Sequence, residues 1–96
     1  MELLVAYDVG TITQKDARRL QRVASVCERY GTRVQYSLFE CRVASAAFEA
    51  FKFELSEILD PTRDRVDIFR FDRPLIEVRT SLGLVQPERP GGSWII

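Results

Sequence analysis

Residues Leu3 to Tyr7 form an unbroken apolar run, Leu-Leu-Val-Ala-Tyr, closed by Asp8. No other stretch constrains the fold as much. A strand covered on one face alternates apolar and polar residues; one that is apolar at every position is covered on both. The chain has 96 residues, enough for one domain. A domain of this size buries only about two thirds of the surface its unfolded chain exposes. Covering both faces of the first strand is therefore a demand the rest of the chain must meet, alone or with help.

The remaining elements follow in alternation. Gly10 and Thr11 mark a turn, and Thr13 is an expected N-cap for a first helix. Ala17, Leu20, Val23, Ala24 and Cys27 follow helical spacing, which sets Lys15, Arg18, Arg19, Arg22 and Arg29 on the opposite face. Tyr30-Gly31 ends the helix, with Gly31 expected as a left-handed cap. Arg33 to Val43 has strand character, either as one strand or as a tight hairpin bent near Ser37-Leu38; no Asn-Gly or Gly turn signal decides between them. Ser45 is expected to cap a second helix, whose core stripe is Phe48, Phe51, Leu55, Ile58 and Leu59, with Phe53 pointing away. Asp60-Pro61 stops it. Arg65 to Phe71 reads as a strand and Leu75 to Thr80 as another; Gln86 to Ser93 is a linker before Trp94-Ile95-Ile96.

This order is β-α-β(β)-α-β-β, and an α+β, ferredoxin-like βαββαβ sandwich over residues 1–85 fits it best. Such a sandwich places both helices on one sheet face and leaves the other bare. The doubly apolar first strand then requires a cover, most simply a second copy of the chain, so a two-fold homodimer through the sheet face is expected. Residues 86–96 form the linker and a C-terminal strand. Trp94-Ile95-Ile96 is too apolar to stand in water, and is expected to add to the edge of the partner's sheet, with packing on its own core as the alternative.

Composition removes several chemistries. The chain has no histidine, so Ser-His-Asp triads, Cys-His pairs and His-based ribonuclease chemistry are excluded. Cys27 and Cys41 form no CxxC or zinc-type cluster and read as packed thiols. No apolar stretch is long enough to span a bilayer, and the start of the chain lacks a signal-peptide pattern, so a cytoplasmic location is expected. Net charge is zero, yet from Thr11 to Arg42 seven basic residues face three acidic ones, and from Val43 to Thr62 one Lys faces four acids. Twelve of the fourteen basic residues are Arg, whose planar fork suits phosphate. Lys15, Arg18, Arg19, Arg22 and Arg29 are therefore candidate contacts to a nucleic-acid backbone, sequence-independent and salt-sensitive. A metabolite-binding regulatory domain fits less well, since the chain lacks a Gly-rich ligand loop and carries this Arg-rich face.

The nine residues Arg33-Val34-Gln35-Tyr36-Ser37-Leu38-Phe39-Glu40-Cys41, preceded by Tyr30-Gly31 and by the strand ending in Tyr7-Asp8, resemble the CRISPR-associated protein 2 family, the small CRISPR adaptation subunit. The resemblance is strongest over the first 43 residues; Leu38 stands where that family commonly has Val. It implies a ferredoxin-like homodimer, with a hairpin near Ser37, that acts in spacer acquisition by holding duplex DNA between dimers of a CRISPR-associated integrase. It also implies a second activity, metal-dependent endonuclease action on single-stranded RNA or on DNA. Asp8 matches the family's metal-binding Asp, which would hold Mg²⁺ or Mn²⁺ between two copies across the dimer axis. Tyr7, Arg33 and Phe39 match positions associated with nuclease activity, Arg33 by contacting phosphate and Phe39 by stacking or by packing at the dimer interface; read by themselves, Tyr7 and Phe39 are core or interface aromatics and Arg33 a partner for an acidic neighbour. Phe53 is a candidate contact to the integrase. On its own, an Asp at a strand end reads as a turn residue; only pairing with a second copy makes it a site.

Overall fold

A computed structural model of the chain describes residues 1–10 and 12–84. Its elements are β1 (Glu2–Asp8), α1 (Gln14–Tyr30), β2 (Gly31–Gln35), β3 (Leu38–Arg42), a 3₁₀ turn (Ser45–Ala47), α2 (Phe48–Ile58), β4 (Arg65–Phe71) and a short α3 (Leu75–Val78). The four strands form one antiparallel sheet in the order β2-β3-β1-β4. This is the expected βαββαβ sandwich. The linker and C-terminal strand expected over residues 86–96 lie outside the described residues.

β1 runs through the middle of the sheet, between β3 and β4. Side chains alternate along a strand, and Leu3, Val5 and Tyr7 are buried beneath the helices. Leu4 and Ala6 point the other way and are only half-buried. The run is thus apolar on both faces, but a single copy closes only one of them. Part of the second face is roofed by α3 and the residues after it. Leu75 is buried there, and Arg79 forms an ion pair with Glu40. An open groove of about 680 Å³ remains, lined among others by Leu4, Val34, Leu38, Phe71 and Val78.

α1 and α2 lie side by side over the other face. Thr13 caps α1 as expected: its hydroxyl accepts from the Asp16 amide, and the Asp16 carboxylate accepts from the Thr13 amide, a reciprocal capping box. The buried stripe is Val23, Ala24, Val26 and Cys27, with Leu20 half-buried. Ala17, expected in that stripe, is exposed; Val26 takes part instead. Phe51, Leu55 and Ile58 form the buried side of α2, and Tyr30 meets Phe51 edge-on at 5.0 Å. Cys27 and Cys41 are buried free thiols; Cys41 Sγ donates to the Cys27 carbonyl at 3.7 Å.

Four sequence expectations need correction or resolution. Gly31 is extended (φ −174°, ψ −157°) and is not a left-handed cap. The glycine is needed because α1 runs directly into β2 against β3: a Cβ here would lie 1.8 Å from the Glu40 carbonyl oxygen. Ser45 opens the 3₁₀ turn and makes no capping bond to α2. Leu75 to Thr80 is not a strand. Pro74 precedes a short helix over Leu75–Val78, and the fixed φ of proline suits that start. Arg33 to Val43 resolves as the hairpin, with β2 and β3 paired across a turn at residues 36–37.

A buried ionic cluster joins the loop after β1 to the loop before β4. The Asp16 carboxylate has no exposed surface and accepts from the amides of Ile12 and Thr13 at 3.0 Å, from Arg19 at 2.5 Å and from Arg63 at 2.6 Å. Asp64, equally buried, accepts from the amides of Gly10 (3.0 Å) and Asp60 (2.9 Å) and from Arg19 Nε (2.7 Å). Every oxygen is satisfied, which is what lets two carboxylates sit out of water. Burial alone would raise the Asp16 carboxyl, but the bonds from the Thr13 amide and Arg19 outweigh it and bring it down to about 2. Arg19 above all, against burial, brings Asp64 down to about 2 as well.

Two outcomes follow from this packing. Gly31→Ala is expected to destabilise the chain by about 2 kcal/mol or more, as overpacking against backbone does, read as a lowered urea midpoint. In acid, both carboxyls bind protons more weakly in the folded chain than in the unfolded chain, where such groups titrate near ~3.9. The unfolded state therefore gains protons first as pH falls, and the cluster's stabilisation, full above about 4, is lost on the way down to about 2. The urea midpoint should fall across that window. Asp64→Asn should start lower and show a shallower acid decline; an equally steep decline in the variant would separate the cluster from acid stability.

Candidate nucleic-acid and metal site

Asp8 is the last residue of β1 and pairs in register with Arg65 of β4. Because Tyr7 points under the helices, Asp8 points to the open sheet face, on the same side as Leu4 and Ala6. It is exposed, and among the described residues its carboxylate has no hydrogen-bond or ion-pair partner. The nearby charges of β4 are already matched, with Arg65 Nε 2.9 Å from Asp67. Among the described residues no group of three or more His, Cys, Asp or Glu is gathered to hold a metal. One copy of the chain thus offers a cation a single unengaged carboxylate. Mg²⁺ tolerates this, because it commonly keeps several waters and binds through one or two carboxylates plus phosphate.

Tyr7 and Phe39 lie beneath that face, not on it. Phe39 is fully buried and Tyr7 nearly so; their rings stack at 6.0 Å and 25°. Phe39 therefore packs in the core of its own chain, the core alternative of the sequence reading, and not at a dimer interface. Burial pushes the Tyr7 phenol above its ordinary range, with Arg33 opposing, so it is a hydrogen-bond donor at neutral pH and not a base. Its hydroxyl donates to the Tyr36 carbonyl at 3.4 Å. The Arg33 guanidinium lies over the Phe39 ring, 5.1 Å from its centre, and donates to the same Tyr36 carbonyl at 2.8 Å. Tyr7, Phe39 and Arg33 are thus brought together as one unit that fixes the β2–β3 turn beside the end of β1.

The Arg-rich face is smaller than the sequence suggests. Lys15, Arg18 and Arg22 are exposed along α1. Arg19 turns inward and is consumed by Asp16 and Asp64. Arg29 pairs with Glu54 of α2. Helical spacing places all five near one side, but it does not show that a loop 45 residues later brings an acid to one of them. Sequence reasoning does not single out Asp64, Arg63 or the exposed Tyr36; the Asp-Arg-rich 60–65 segment is the one available signal. Phe53 is well exposed on α2. Among the described residues no helix is long and apolar enough to cross a membrane.

Comparison with known proteins accords with this geometry. Residues 1–75 match the family model for CRISPR associated protein Cas2. Over 74 residues the chain is 43% identical to the CRISPR-associated endoribonuclease Cas2 1 of Moorella thermoacetica, covering 77% of each. Over 70 residues it is 41% identical to the CRISPR-associated endonuclease Cas2 of Halalkalibacterium halodurans, covering 73% of each. The crystal structure of Streptococcus pyogenes Cas2 superposes with a TM-score of 0.79 at 38% identity, covering 86% of this chain and 100% of that one. A four-stranded sandwich with Tyr7-Asp8 closing its central strand, and a match spanning most of its length, place this chain in the CRISPR-associated Cas2 family.

Proposed function

We propose that the chain is a homodimeric subunit of CRISPR spacer acquisition, holding duplex DNA by its backbone and bridging dimers of the integrase. The observation that carries this reading is the open sheet face, which bears the apolar Leu4, Ala6 and half-exposed Phe69 beside an exposed Asp8 that is unengaged among the described residues. A second copy laid on that face buries the apolar residues and brings two Asp8 carboxylates to one axis. Mg²⁺ or Mn²⁺ suits such a pair, since these ions bind through one or two carboxylates and fill the remaining positions with water and phosphate. A bound ion of this kind offsets phosphate charge and acidifies water. Lys15, Arg18 and Arg22 supply exposed cations for phosphates, with Arg29 exposed but paired to Glu54, whereas Arg19 serves mainly to hold the fold. Phe53 is a candidate contact for the integrase.

A second reading, metal-dependent cleavage of single-stranded RNA or of DNA, is favoured by the names of the relatives, which are called endoribonucleases or endonucleases. In that reading Asp8 holds the metal, while Tyr7, Phe39 and Arg33 position the strand end and the neighbouring turn from below. Buried as they are, Tyr7 and Phe39 do not reach a substrate.

Two experiments separate these roles. Asp8→Ala is expected to leave co-purification with the integrase and spacer integration intact, while abolishing any Mg²⁺-dependent cleavage. Integration that collapses with the complex still assembled would sink the purely architectural reading; cleavage that survives would remove Asp8 from the chemistry. Replacing Arg18 and Arg22 together by Ala should weaken duplex binding regardless of sequence. It should also flatten the dependence of log affinity on log salt by about 0.9 for each phosphate that the variant no longer neutralises. An unchanged slope would take α1 out of the DNA interface.

A further inference from the structure

The β2–β3 turn carries an aromatic side chain that the fold does not use. Tyr36 is 77% exposed, yet its backbone is held with unusual care. Its carbonyl accepts from Arg33 at 2.8 Å and from the Tyr7 hydroxyl at 3.4 Å, and the next carbonyl, Ser37, accepts from the Tyr7 amide at 3.0 Å. Tyr7 immediately precedes Asp8, so these bonds tie the turn to the strand end that presents the candidate metal carboxylate. The anchors themselves are rooted in the core through the Tyr7–Phe39 stack and the Arg33–Phe39 contact. Other exposed aromatics have a simpler account: Phe69 stands opposite Leu4 on the sheet face that a second copy would cover, and Phe53 lies on α2, away from the Asp8 end of β1.

We infer that Tyr36 is a stacking platform for an unpaired nucleobase. The inference rests on the nucleic-acid reading proposed above and deepens it by naming the strand state that the β2–β3 turn prefers. A phenol ring offers a flat apolar face with few rotatable bonds, and its hydroxyl tolerates water when no ligand is present. A fixed backbone removes most of the ordering cost of binding. Stacking on such a ring is indifferent to which base it meets, because every base has a π-face. It discriminates instead between stacked duplex and unpaired strand.

The test is binding of the full-length chain to three fluorescently labelled oligonucleotides of equal length: a single strand, its duplex, and a single strand of abasic sites. Tyr36→Ala should weaken binding to the single strand about tenfold and leave duplex and abasic binding within twofold. Tyr36→Phe should retain the wild-type pattern. Equal losses on all three ligands, no loss on the single strand, or a change in sedimentation of the Tyr36→Ala protein would each overturn the assignment, the last by placing the ring in the contact between copies. Arg18→Ala provides the control for the parent reading, since it should weaken single strand and duplex alike. If the wild-type chain binds none of the three, the nucleic-acid reading falls with the inference; if it binds and Tyr36→Ala changes nothing, only the stacking role falls.

Discussion

The two-residue repeat of β1, with one parity locked under two helices, sets the position of nearly everything that bears on function. Leu3, Val5 and Tyr7 have no choice of face, because α1 and α2 cover only one side of the sheet. Once they are fixed inward, Leu4, Ala6 and Asp8 are fixed outward. A shift of one residue would bury Asp8 among apolar side chains and expose Tyr7, so the packing of the core is also what presents the carboxylate. The same parity leaves half-buried apolar side chains on the open face, which is the physical reason for expecting a second copy there.

The end of β1 is held from two sides by quite different means. On one side, Asp16, Arg19, Asp64 and Arg63 clamp the following loop with charge-assisted hydrogen bonds out of water. On the other, Tyr7, Phe39 and Arg33 fix the β2–β3 turn through stacking and two bonds to a single carbonyl. Apart from Arg33 and Arg63, which keep about a third of their side chains exposed, both clusters are buried. Together they keep the strand end and its neighbours in a defined arrangement, the condition for the proposed metal site of one carboxylate per copy.

Much of this is legible in the sequence because it depends on local pattern. The apolar run marks the central strand, Thr13 marks the start of α1, and Phe51, Leu55 and Ile58 mark the buried side of α2. The errors fall where local signals compete or where distant residues decide. Gly31 has the look of a helix cap, since helices often end so; it is required instead by the close approach of Glu40. Leu75 to Thr80 has strand-like residues but follows Pro74, and forms a short helix. Arg19 belongs by spacing to an exposed cationic face, but Asp64, 45 positions away, draws it inside.

The sequence by itself determined the alternation of strands and helices as far as Phe71, the hairpin aside, the absence of histidine chemistry, and the RVQYSLFEC signature that points to the family. It also placed Asp8 at a strand end, because the apolar run stops there. Only the tertiary structure decided which cations remain available, that Tyr7 and Phe39 act from the core, and that the turn carrying the exposed Tyr36 is tied to the end of β1. The difference is one of range. Patterning and capping act within a few residues, whereas burial of an ion pair, the packing of two rings and the face on which a carboxylate emerges depend on segments that meet only when the sheet and helices close together.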